Sequence, residues 1–280
     1  HFEAAAAAAT TPTSTARAAY WRGRALEALG EGEAAQSAYR LAAERAATFY
    51  GQLAAARLGV ERPKLRQAEP AVEDSDFMRV FRALYEANER ALATPLALDA
   101  AKAGGRDGEL AALSDWIARR RDARTALVIG KAALAAGGAL DETAFPTYGV
   151  PAYAPVANSA DPAVVYSIAR QESAFQPEVV SSAGAKGLMQ MLDSTARETA
   201  KRAGLPFEER RMLTDPTFNA TLGAAHLGTL LKSQKGSYVL AFAAYNAGPG
   251  RVKEWLDAYG DPREPGVDMI DWIERIPFAE

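Results

Sequence analysis

Cysteine is absent, histidine appears only at His1 and His226, and no apolar run approaches the roughly 20 residues that a bilayer-spanning helix needs. Without cysteine there are no disulfides, no thiolate nucleophile and no iron–sulfur ligation. With so little histidine there is also almost no way to assemble a zinc site. A serine–histidine–aspartate triad would have to use His226, which sits inside an apolar segment and reads more simply as a packed core residue. A strong excess of one charge is missing too. The net charge is -3, and the densest basic cluster, Arg119-Arg120-Arg121 with Arg124, reads as a solvated helix face, so nothing favours nucleic acid. Sustained period-two alternation of the strand type is not found. The chain begins with His1 rather than methionine, which reads as a mature or trimmed piece from which a signal peptide would leave no trace.

What is present is a chain of 280 residues, about half of them apolar, enough for two domains and a well-buried core. Ala19, Tyr20, Ala25, Leu26 and Leu29 recur at helical spacing, Gly30-Glu31-Gly32 breaks the run, and a second helix follows through Ala35, Ala38, Tyr39, Ala42 and Ala43. Small residues on such faces let helices approach closely, as in helical-repeat arrays. The alanine-rich start before Ala16 reads as frayed. Proline and acid interrupt the chain over 61–76, and helices are expected over 77–90, 94–103, 109–121 and 123–136. Pro146, Pro151, Pro155 and Pro162 mark a connector. The expected division is 1–66, 67–150 and 151–280. Beyond the connector, Asp161-Pro162 and Asp215-Pro216 both read as an N-cap followed by proline in the first turn. The helix after Asp215 is apolar or small on nearly every face, as expected of one threaded through a core.

The segment 161-DPAVVYSIARQES-173 ends this pattern with an acid. At 100° per residue, Val164, Val165, Ile168 and Glu172 fall within an arc of about 100°, and Arg170 falls opposite. A carboxyl on a core-facing stripe is partly removed from water and holds its proton more tightly, as a general acid near neutral pH requires. A buried glutamate bonded to a helix end or an arginine is the other reading, and spacing alone does not separate the two.

Three blocks in order carry a resemblance. They are Glu172-Ser173-x-Phe175-x-Pro177, then Val180-Ser181-x-x-Gly184-Ala185-x-Gly187-Leu188-Met189-Gln190, then Ala244-Tyr245-Asn246-Ala247-Gly248-Pro249-Gly250-Arg251-Val252. From about Asp161 onward the chain resembles the soluble lytic transglycosylases, peptidoglycan-cleaving enzymes with a goose-type-lysozyme-like catalytic domain. The stretch 45-RAATFYGQLAAARLG-59 is similar to an element of that family's helical superhelix. The resemblance implies an all-α fold: a superhelix fragment, linker helices, and a lysozyme-like domain with at most a small β-hairpin near Gly184–Gln190. It makes Glu172 the catalytic acid and places Ser181, Gly187, Met189, Gln190, Tyr245 and Asn246 at the substrate. Gly184 and Gly187 would let the backbone approach a flat sugar ring, and Met189 would be an adaptable apolar wall. Gln190 could donate and accept towards an acetamido sugar, and Tyr245 offers a hydroxyl and a ring face. Core filling is the alternative for Met189 and Tyr245, while Phe175, Leu188 and Trp255 are read as packing residues.

The implied reaction cleaves the β-1,4 bond between N-acetylmuramic acid and N-acetylglucosamine. Glu172 protonates the glycosidic oxygen, the substrate's acetamido group supports the cationic centre, and Glu172 then activates the 6-hydroxyl to close a 1,6-anhydro ring. The implied partner is the peptidoglycan glycan strand and the implied location the periplasm, with no cofactor and no metal. A hydrolase of the same fold and a non-catalytic scaffold that binds glycan or another protein are the competing readings. Gln176 stands where the family commonly has Asn, and Leu192-Asp193 replaces its usual Met-Pro. Asp193 reads as an N-cap rather than a second catalytic carboxylate. The family normally continues past the position of Glu280 with a segment that holds another cleft tyrosine.

Overall fold

The computed structural model describes residues 2–71 and 74–277, and the last three residues of the 274-ERIPFAE-280 stretch fall outside them. Among the described residues every regular element is helical, and no helix is long and apolar enough to cross a membrane. The chain divides into two compact units, His1–Gly149 and Val150–Glu280.

In the first unit, α1 (Phe2–Ala8) already forms in the alanine-rich start that the sequence reads as frayed. Thr11 caps α2 (Pro12–Ala28) in a reciprocal box with Ser14. α3 (Gly32–Ala43) and α4 (Phe49–Arg57) follow, and Thr48 caps α4 by accepting from the Gly51 N–H. The faces between these helices are small residues around an aromatic cluster, with the Tyr20 ring 5.9 Å from Tyr39 and 5.7 Å from Tyr50. A Cβ at Gly23 would meet the Tyr39 ring at 2.6 Å, so this glycine is what admits the ring. A second cluster joins α5 (Asp76–Glu86), α6 (Arg90–Ala103), α7 (Asp107–Arg119) and α8 (Ala123–Ala135) around Phe81, Leu110, Ile117 and Ile129. α6 starts one turn earlier than the sequence suggests and carries Pro95 inside it. The 61–76 connector is stitched to the end of this cluster. Arg66 donates to the fully buried Asp141 carboxylate at 2.8 Å and to the carbonyls of Gly137 and Gly138.

The second unit holds α9 (Pro162–Glu172), α10 (Asp193–Ala203), the short α11 (Arg211–Thr214), α12 (Pro216–Ser233), α13 (Tyr238–Ala247), α14 (Pro249–Tyr259) and α15 (Met269–Arg275). Asp161 caps α9 by accepting from the Ala163 N–H, and Asp215 caps α12 by accepting from the Phe218 N–H, each with proline in the first turn. α12 runs through the core, with Ala220, Leu222, Ala224 and Leu227 fully buried. A satellite cluster of Leu240, Ala241, Val252, Trp255 and Trp272 binds α13, α14 and α15 together. Between α9 and α10 the backbone pairs only through the single bridges Val180 to Lys186 and Lys186 to Met191. These take the place of a hairpin.

Candidate active site

Val164, Val165 and Ile168 are buried, and Glu172, on the same stripe of α9, is half-buried as its last residue. Arg170, assigned to the opposite side, is also half-buried, and burial pushes its guanidinium below its ordinary pKa. The chain reverses directly after Glu172. Ala174 and Phe175 both have positive φ, 49° and 63°, a left-handed pair that costs energy in residues with a Cβ. Burial holds the reversal in place. The Phe175 ring packs against Tyr166, and the buried Ser173 hydroxyl donates at 2.7 Å to the Leu188 carbonyl. The end of α9 is thereby tied to the loop that contains the second block.

That loop is moulded on α12. Asn219 is fully buried: its Oδ1 accepts from the Met189 N–H at 2.8 Å, and its Nδ2 donates to the carbonyls of Lys186 (3.1 Å) and Met212 (3.0 Å). Sequence reasoning missed this residue. The available signal was an amide inside an otherwise apolar helix, where a buried polar group must find partners. Gly187 has φ +76°, and a Cβ there would meet the Met212 carbonyl oxygen at 2.2 Å and Asn219 Nδ2 at 2.3 Å. The close approach seen at this glycine is to α11 and α12. Gly184, also at positive φ, faces open space.

The structure corrects two further expectations. The Met189 side chain is fully buried and lies where a Cβ on Gly223 would strike it, so it packs beneath the site and offers no wall to a ligand. Asp193 is not an N-cap: the cap position belongs to Leu192, and Asp193 opens α10. Its Oδ2 accepts from Lys186 Nζ at 2.6 Å, while Glu209 takes the same ammonium at 2.5 Å. A lysine seven residues earlier captures the acid before a local cap can form. Asp193 is accounted for as an ion-pair partner.

Of the remaining candidates, Ser181 closes a tight turn, its Oγ accepting from the Ala185 N–H at 3.0 Å. Gln190 sits at φ 46° and donates both amide hydrogens inward, to Val179 (3.0 Å) and Gly187 (2.9 Å) carbonyls. That assigns its Oε1 as the group left to accept from a ligand. Asn246 is exposed near the end of α13. Tyr245, one residue before it, donates its hydroxyl to the Met189 carbonyl at 2.6 Å, and its ring lies 5.5 Å from that of His226. Burial first, and then the negative charge of Glu172, push the Tyr245 phenol far above its ordinary pKa, so it stays protonated. The structure thus brings together Glu172, Met189, Gln190 and Tyr245, with residues 188 and 189 tied by hydrogen bonds to α9, α12 and α13. Phe175, Leu188 and Trp255 are buried, as their packing role requires.

These features place the second unit in the all-α, lysozyme-like class. Residues 151–264 match the family described as Transglycosylase SLT domain. The soluble lytic murein transglycosylase of Escherichia coli K12 is 39% identical over 115 residues, which is 41% of this chain and 17% of that protein. A putative soluble lytic murein transglycosylase of Haemophilus influenzae is 44% identical over 115 residues, 41% of this chain and 18% of that one. Among solved structures, an inactive mutant of lytic transglycosylase Slt from Pseudomonas aeruginosa superposes with a TM-score of 0.70 at 31% identity, covering 95% of this chain and 43% of that chain. A 70 kDa soluble lytic transglycosylase in complex with bulgecin A gives 0.69 at 27% identity, covering 94% and 43%. The chain spans less than half the length of these relatives.

Proposed function

We propose that the chain is part of a peptidoglycan lytic transglycosylase that cuts the β-1,4 bond between N-acetylmuramic acid and N-acetylglucosamine and leaves 1,6-anhydromuramoyl ends. The observation that carries this reading is the pairing of Glu172 with Tyr245. The carboxylate whose charge acts on the Tyr245 phenol is Glu172, and the phenol is held by Met189 in the loop that follows α9. Asp193 and Glu209, two further acids against this loop, share the Lys186 ammonium, so neither of these two is disposed to orient water as a second catalytic carboxylate.

In this reading Glu172 gives its proton to the glycosidic oxygen and takes one back from the 6-hydroxyl of the same muramoyl ring. An attached hydroxyl needs no loss of translational freedom to attack, which gives it a large advantage over free water. Gln190 Oε1 accepts from an acetamido N–H, Asn246 offers a polar edge at the end of α13, and Tyr245 keeps its protonated hydroxyl on Met189 with its ring towards Glu172. Ser181, Gly187 and Met189 act by shaping the loop. The helices of 1–66 form a superhelix fragment, 67–150 a linker domain and 151–280 the catalytic domain, and the substrate places the protein in the periplasm. The relatives' names and the solved inactive mutant of the Pseudomonas enzyme support the reading. Mass spectrometry of digested sacculi tests it. Non-reducing anhydromuramoyl ends, one water lighter than hydrolysis products, are expected, and predominantly reducing ends would make the protein a muramidase.

A further inference from the structure

His226 belongs to none of the three blocks. It lies on α12, seven residues after Asn219 and three after Gly223, so Asn219, Gly223 and His226 share one face of that helix. Each meets the same small region from behind. Asn219 holds the Met189 N–H, Gly223 leaves room for the Met189 side chain, and the His226 ring packs at 5.5 Å and 50° on Tyr245, whose hydroxyl is held by the Met189 carbonyl. Tyr245 is thus fixed at both ends from α12: at its oxygen through Met189, and at its ring directly by His226.

We infer that His226 is a positioning residue for Tyr245, acting as a neutral aromatic plate that sets the phenol ring beside Glu172, and that protonation of its imidazole disturbs this setting. The inference rests on the reading of Glu172 and Tyr245 as the reactive pair. The charges acting on the imidazole are Arg202 and Glu198, both from α10, and burial followed by the Arg202 charge pushes its pKa below the ordinary value. α13 presents Tyr245 to it. The charged residues of α9 and α11, which also pack on α12, are Arg170, Glu172 and Arg211. The imidazole is therefore neutral near pH 7. It acquires charge only on the acid side, where a cation would form in a half-buried place already under the field of Arg202.

The test uses the whole chain with 3-fluorotyrosine incorporated and the Tyr245 signal assigned by its loss in Tyr245→Phe. In the wild type the Tyr245 fluorine resonance should move on acidification with a midpoint below about 6.5, the ordinary histidine value. In a Glu172→Gln background, which takes the carboxylate's own change of charge off the ring, that movement should persist with His226 in place and vanish in His226→Phe, which keeps the plate and removes the titration. A resonance that does not move in that background with His226 present, or that still moves there in His226→Phe, overturns the proposal. This arm needs no catalysis, so it survives a wild type that proves inactive, an outcome that would sink the enzymatic reading alone. Where the wild type cleaves glycan, His226→Phe should retain kcat at pH 7 and lose the acid limb assigned to the imidazole. His226→Ala should lower kcat about tenfold with KM little changed, and should cost nothing further in a Tyr245→Ala background. Additive losses in that double variant would make His226 a mere packing residue.

Discussion

The deepest charge of the first unit, Asp141, is satisfied by the backbone and guanidinium N–H groups of one residue, Arg66. The deepest amide of the second, Asn219, is matched by three backbone groups of other residues, two of them in one loop. Asp141–Arg66 braces a connector against the helices of the first unit, so its loss is expected to be felt as stability of that unit. Asn219 turns the side of α12 into a mould for residues 186–189, so its loss is felt at Glu172 and Tyr245 as well. A buried polar group that pairs with a side chain joins two places. One that pairs with backbone prescribes a conformation.

The sharpest separation comes from Glu172→Gln. Shape is kept and the transferable proton is lost, so glycan cleavage should fall by at least about 10²–10⁴-fold, the range typical of acid–base groups, while the melting of both units stays near that of the wild type. Turnover at the wild-type level would remove Glu172 from the mechanism. Next in size is Asp141→Ala, which leaves Arg66 partly buried without its carboxylate. Breaking such a pair costs about 3–5 kcal/mol, and calorimetry should show the first unit melting early while short soluble glycans are cut as before. If cleavage fell in proportion, the Asp141–Arg66 pair would bear on the site as well as on stability. Asn219→Leu should do the opposite. The Met189 N–H and the Met212 carbonyl lose their Asn219 partner, while the Lys186 carbonyl keeps the Met191 N–H; this costs at least about 1–3 kcal/mol, and stability of the second unit and kcat should fall together. Retained kcat with lowered stability would reduce Asn219 to ordinary scaffolding. The smallest effect concerns acid. The Phe218 N–H and then Arg211 hold the Asp215 carboxyl below its usual pKa. Its contribution is therefore complete above the ordinary carboxylate range and is lost as pH falls through the depressed value. Asp215→Asn should flatten the acid end of the second unit's stability profile, and an unchanged profile would contradict that.

Features that depend on near neighbours in the chain were legible in the sequence. The Asp161-Pro162 and Asp215-Pro216 starts and the stripe Val164, Val165, Ile168, Glu172 all follow from local geometry. Features that depend on what comes to face a residue were not. Asp193 carries the composition of a cap, yet an ammonium placed beside it by the turns of the loop captures it. Met189 and Gly187 stand in a recognisable block, and nothing in that block says that they turn inward against α12. α1 forms in a segment that its composition alone reads as frayed.

Gly187 carries a last consequence, for anyone who would transplant this site. The second block looks like a self-contained module, and a designer would be tempted to graft 180–190 onto another helical scaffold. The glycine fits because the carbonyl of Met212 and the amide of Asn219 occupy the space a methyl group would need, and both lie outside the block. The portable unit is the loop together with the stretch 212–226 that casts its shape. Without that stretch, a graft would carry the letters of the motif and none of its form.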